Sequence, residues 1–95
     1  MHILQKQMKE FEFLIGDPLG IHARPAGHLV KLAQTFESEA TMTLMRNGKS
    51  ASLKRLLAVM GLGAKGGDRV RVEVSGKDEE AAARGIERWL TEHLG

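Results

Sequence analysis

The 95-residue chain contains no cysteine, which excludes a disulfide framework and any thiolate metal site. Aromatic residues make up only 4% of it, so the chain has few side chains on which bases could stack. No apolar run approaches the roughly 20 residues that a helix needs to cross a bilayer, and no direct membrane insertion is expected. Charge is also nearly balanced, with 14 basic against 12 acidic residues and a net charge of +2. Binding to a phosphodiester backbone calls for clustered basic residues, here neither clustered nor interleaved with aromatics, so nucleic acid is excluded as a partner. A mild basic face toward an acidic protein partner remains open.

What is present fits one small domain. Hydrophobic residues make up 42% of the chain, and without an internal repeat they can bury one modest core. Residues 1–8 carry one lysine and a two-residue apolar centre, which is not a signal-peptide pattern. They are expected to form a short, frayed extension ahead of a domain spanning 9–95. With no cysteine and no secretory leader, a cytoplasmic location is expected.

Hydrophobic periodicity orders the elements. Phe11, Phe13 and Ile15 alternate with Glu10, Glu12 and Leu14, the period of a strand with one face buried. Gly16-Asp17-Pro18-Leu19-Gly20 clusters turn residues. A helix follows from just after His22 to about Phe36, with Ala26, Leu29, Val30, Ala33 and Phe36 on one face. A second strand spans Glu39 to Leu44, and Asn47-Gly48 predicts a tight hairpin into a short edge strand over Lys49 to Ala51.

Ser52 is placed to cap a second helix ending at Met60, with Gly61 as a left-handed stop. Leu53, Leu56, Leu57, Val59 and Met60 cover well over half its circumference, more than a helix lying on a small sheet can bury, so part of that surface is expected to meet another protein. Val70, Val72 and Val74 mark a last strand. Asp78, Glu79 and Glu80 open a final helix whose buried stripe is Ala82, Ile86, Trp89 and Leu90; its register places Trp89 in the core. The order βαββαβα predicts an α+β, open-faced β-sandwich: a four-stranded, mainly antiparallel sheet with three helices on one face.

Two motifs compete for the chemistry. Gly61-Leu62-Gly63-Ala64-Lys65-Gly66 matches the letters of a dinucleotide fingerprint, but a helix precedes it and a strand follows, the reverse of the required context. Gly67 stands where a phosphate-loop lysine would be. No cofactor site is expected there. No histidine pair has chelating spacing; His22 and His28 are about 240° apart by the helical step and should not share a face. No metal site is expected either.

The stretch Gly20-Ile21-His22-Ala23-Arg24-Pro25-Ala26 holds the stronger signal. Pro25 belongs in a first helical turn, where its missing N–H costs nothing. The amides of Ala23 and Arg24 are then free at the positive end of a helix, a site suited to an anion. Arg24 adds several donors shaped for phosphoryl oxygens, and His22 a ring nitrogen able to attack phosphorus. The helix dipole disfavours the imidazolium and stabilises a phosphoryl group once attached. No acid, serine or second histidine nearby in sequence completes a hydrolytic set, though the fold could bring one in. Transfer is therefore favoured over hydrolysis, and a carrier with a phosphohistidine over a stand-alone enzyme.

With the histidine stretch, Asn47-Gly48-Lys49-Ser50 and the run from Leu53 to Gly66, residues from about Lys9 to Leu94 resemble the HPr family of the bacterial phosphoenolpyruvate-dependent sugar phosphotransferase system. The resemblance implies phosphorylation of His22 on Nδ1 by Enzyme I, and transfer of the group to IIA domains of sugar permeases. Arg24 and the Ala23 amide would assist. It also assigns partner contact to Gly27, His28, Lys31, Leu56, Leu57 and Met60. A monomer is expected, though the sequence does not settle oligomeric state.

One departure stands out. Many Gram-positive members carry a kinase-phosphorylated serine directly after the lysine that opens the second helix; here Arg55 follows Lys54. Arg55 cannot accept phosphate by that chemistry. The alternative function is an HPr-like regulatory protein that binds a transcription factor or metabolic enzyme.

Overall fold

A computed structural model describes residues 8–95, so the expected extension lies, apart from Met8, outside the described residues. The elements run β1 (Lys9–Leu14), α1 (Ala23–Gln34), β2 (Glu39–Leu44), β3 (Ser50–Ser52), α2 (Leu56–Gly61), β4 (Arg69–Ser75) and α3 (Glu79–Leu94). All strand pairs are antiparallel, in the order β1-β4-β2-β3. This is the expected open-faced α+β sandwich.

Register explains which residues enter the core. Val72 pairs with Phe11 on one side and Met42 on the other, and Val70 pairs with Phe13 and Leu44. Successive residues of a strand face opposite sides, so these rows lie under the helices while Glu12, Arg71 and Thr43 form a row on the open face. Met42, Leu44 and all three β4 valines are fully buried, together with Leu29, Ile86 and Leu90. Phe11 and Phe13 are only partly buried, because β1 is an edge strand with no strand beyond it among the described residues. Thr43, although on the open face, is buried, with Arg71 and Ser50 as its cross-strand neighbours.

Several local expectations are corrected. The 44–50 connection is not a two-residue turn: Leu44 N–H donates to the Lys49 carbonyl and Gly48 N–H to the Leu44 carbonyl. Gly48 alone takes a positive φ, of 77°, and Asn47 Oδ1 accepts the Lys49 amide instead. Ser52 does not cap α2, because it is still paired with Thr41 in β3. Its hydroxyl accepts the Lys54 amide within a turn, and the N-cap is Arg55, in extended conformation. Gly61 is the last residue of α2 rather than a left-handed stop. The chain continues helically to bury Leu62 and reverses at Gly63, with φ 66°.

α1 ends at Gln34, two residues short of Phe36, with the Thr35 N–H and hydroxyl both donating to the Leu32 carbonyl. At the start of α3, Asp78 does not cap its own helix. Its carboxylate accepts the Ser38 hydroxyl and the backbone amides of Glu37 and Ser38, tying α3 to the entry of β2. These bonds hold the carboxyl below its ordinary value, the Ser38 hydroxyl contributing most. Glu79 reaches back to accept the Gly76 amide, as a residue in the first turn of a helix can.

Candidate phosphoryl-acceptor site

β1 delivers the chain into a loop fixed from two sides. Asp17, Pro18, Leu19 and Gly20 form a turn in which Gly20 N–H donates to the Asp17 carbonyl at 2.9 Å and Leu19 N–H to Asp17 Oδ1 at 2.9 Å. Asp and Pro occupy the first two positions that such a turn favours. Gly20 has φ 67°, and a Cβ there would collide with the Ala64 carbonyl oxygen; glycine is required on both counts. Ile21 N–H then donates to the same Ala64 carbonyl at 3.0 Å.

The glycine-rich segment thus has a structural role. A Cβ on Gly66 would lie 2.7 Å from the Asp17 carbonyl oxygen, so this run lets two backbones touch beneath the histidine loop. It lies between α2 and β4, as its sequence context predicted. The far side of the loop rests on the end of α3, where the Leu94 carbonyl accepts the amides of Gly16 and Asp17 at 2.8 and 3.1 Å.

His22 emerges from this scaffold as the N-cap of α1. Its backbone is extended, with φ −94° and ψ −176°, and its side chain makes no capping hydrogen bond. The first intrahelical bond runs from Ala26 N–H to the His22 carbonyl at 2.9 Å. Ala23 and Arg24 are therefore left with amides that meet no protein acceptor among the described residues, and Pro25 has no N–H to leave. Ala26 and Leu29 anchor the helix in the core, while His22, Ala23 and Arg24 are exposed. Arg24 forms no ion pair among the described residues. An exposed imidazole, two free amides and an exposed guanidinium thus share one helix end.

His22 and Arg24 line a shallow depression of about 310 Å³, together with Asp17, Pro25, His28, Trp89, His93 and Leu94. This corrects two expectations. His28 does lie on the same depression as His22, because the N-cap is not helical and the per-turn rotation does not apply to it. Trp89 is only partly buried at the edge of the core, and its outer face stacks on His93 with ring centroids 4.7 Å apart at 30°. The sequence carries a local signal for that stack, since the two rings are four residues apart on one helix. The arrival of α3 beside His22 is a tertiary event with no local signal.

The proposed partner residues lie nearby on two elements. Gly27, His28 and Lys31 lie on α1. Leu57 of α2 is 82% exposed, with Leu56 and Met60 at 40% and 38%, whereas Leu53, Val59 and Leu62 hold the segment to the core. The surplus apolar surface expected from the sequence is therefore exposed.

A family model described as the PTS HPr component phosphorylation site matches residues 9–92. The chain belongs to the HPr family. It is thereby a phosphocarrier component of the phosphotransferase system. The phosphocarrier protein HPr of Lysinibacillus sphaericus is 44% identical over 85 residues, covering 90% of this chain and 94% of that one. The HPr of Mycoplasma genitalium is 37% identical over 83 residues, covering 87% and 93%. Among solved structures, a Mycoplasma histidine-containing phosphocarrier protein superposes with a TM-score of 0.84 at 32% identity, over 88% of this chain and 93% of that chain.

Proposed function

We propose that His22 accepts a phosphoryl group on Nδ1 from phospho-Enzyme I and passes it to the IIA domains of sugar permeases, in a cytoplasmic, monomeric protein. The supporting observation is the free helix end: an exposed, uncapped histidine with the unpaired Ala23 and Arg24 amides beside it. In the accepting step the imidazole nitrogen attacks phosphorus, the bond from phosphorus to the donor group of phospho-Enzyme I breaks, and that group takes the electron pair. The amides and the Arg24 guanidinium bear on the charge spread over the peripheral oxygens, where fixed donors accelerate transfer. The second transfer reverses the same step toward a new acceptor, and nothing in it consumes a cofactor.

Docking is assigned to Gly27, His28 and Lys31 on α1 and Leu56, Leu57 and Met60 on α2, around an exposed apolar centre with Lys31 at its margin. Such a surface suits a partner with an apolar patch and an acidic rim. Arg55 stands at the N-cap of α2, so serine control by an ATP-dependent kinase is not expected there. Incubation with the bifunctional HPr kinase and ATP should leave the second helix free of acid-stable phosphate, and stoichiometric phosphoserine there would show that this branch survives. The carrier role itself is tested by labelling with phosphoenolpyruvate and Enzyme I, followed by transfer to a IIA domain. Binding of a transcription factor or metabolic enzyme that persists in a dead His22 variant would favour the regulatory alternative.

A further inference from the structure

Arg24, His28 and His93 bring N–H donors to the depression, and the carboxylate on its lining, Asp17, already accepts the Leu19 amide. The arrangement therefore suits an anion.

His93 is held there by the fold. Leu94, next to it, is buried, and its carbonyl accepts the Gly16 and Asp17 amides, which fixes the last turn of α3 against the loop leading to His22. The imidazole stacks on Trp89. A stacked ring has its plane set without either nitrogen being used, and neither nitrogen of His93 has a hydrogen-bond partner among the described residues. A neutral imidazole keeps one N–H donor and a protonated one keeps two, so in either state the ring can donate to an anion.

We propose that His93 donates a ring N–H to a peripheral oxygen of the phosphoryl group carried by His22, and that Trp89 is the positioning residue that holds the ring for it. This rests on the reading of His22 as the acceptor. It adds a contact from α3 to those supplied by the N-terminus of α1.

The test separates the two claims. Protein with 15N-labelled imidazoles is phosphorylated with potassium phosphoramidate, which loads histidine without a protein partner, and the ring nitrogens are followed by NMR. Loading of His22 should move the His93 resonances in the wild type and leave them nearly unmoved in Trp89→Ala. The fluorescence of Trp89, the sole tryptophan, should change in parallel. With Enzyme I as donor, the equilibrium constant for forming phospho-His22 should fall roughly three- to tenfold in His93→Ala, as expected for losing one charge-assisted hydrogen bond at an exposed site. His93→Gln, which restores an N–H donor, should recover most of it.

Unmoved His93 resonances on loading of His22 would overturn the proposal. So would equal losses in His93→Ala and His93→Gln, which indicate a structural role only, or phosphate carried by His93 itself. Failure of Enzyme I to load a chain that phosphoramidate loads on His22 would overturn the carrier role, while the NMR shifts still decide the His93 contact.

Discussion

At the scale of single residues the site separates into a proposed acceptor and its supports. His22 is uncapped and exposed, so replacing it changes chemistry and leaves packing alone. Arg24 is exposed and unpaired among the described residues, and its removal should slow phosphoryl transfer from Enzyme I by roughly 10- to 100-fold, the lower part of the range for losing a fixed charged donor because the site is open to water. Stopped-flow or quench-flow transfer rates for Arg24→Ala measure this, and an unchanged rate would remove Arg24 from the site. Gly20 acts on the same chemistry through the backbone. Gly20→Ala combines a positive φ with a collision against Ala64, and should cost at least about 2 kcal/mol of stability in chemical denaturation. The folded fraction should also transfer more slowly, because Ile21 and His22 are displaced with the loop.

In the proposed function the elements divide the work between chemistry and docking. α1 presents the proposed acceptor, and Leu56, Leu57 and Met60 of α2 present an apolar surface that the buried Val59 and the flanking Leu53 and Leu62 do not share. Leu57→Ala should leave the melting temperature within about a degree, since the side chain is 82% exposed. It should weaken binding to Enzyme I roughly tenfold, as loss of a buried interfacial leucine does. Thermal unfolding checks the first and calorimetric titration against Enzyme I the second.

Much of this organisation was legible in the chain, because periodicity and Pro25 are local signals. The valines of β4 and the alternation over Glu39 to Leu44 placed those strands, and Pro25 placed the start of α1. The α2 boundaries were misplaced because Ser52 is held by pairing with Thr41, and no local pattern reports that pairing. The packing of Gly20 on Ala64 and the return of α3 to the site, with Trp89 and His93, depend likewise on contacts between distant segments. The sequence shows the rings on one helix face but not what they face.

On the scale of the whole molecule, one core and two carboxylates carry stability. Ile86 is fully buried between α3 and the sheet, and Ile86→Ala should cost about 2–5 kcal/mol. Asp78 joins α3 to β2, and Asp68 joins the 65–68 turn to Arg46 through two hydrogen bonds of 3.1 Å. Both carboxyls are held below their ordinary value, Asp78 chiefly by the Ser38 hydroxyl and Asp68 chiefly by Arg46. A depressed carboxyl stabilises the fold fully above the unfolded-state value of about 3.9, and that contribution is lost as pH falls through the lower folded-state value. Urea midpoints should therefore fall on acidification from pH 6 to pH 3, and Asp78→Ala should start lower and fall less steeply.

Carrier function depends on where the phosphate goes, and this is measured by incubating wild-type and His22→Ala chains with labelled phosphoenolpyruvate and Enzyme I. One acid-labile phosphate per wild-type chain, on His22 Nδ1, and none on His22→Ala is the expected result. An unlabelled wild type, or a His22→Ala chain labelled to the same extent, would contradict it.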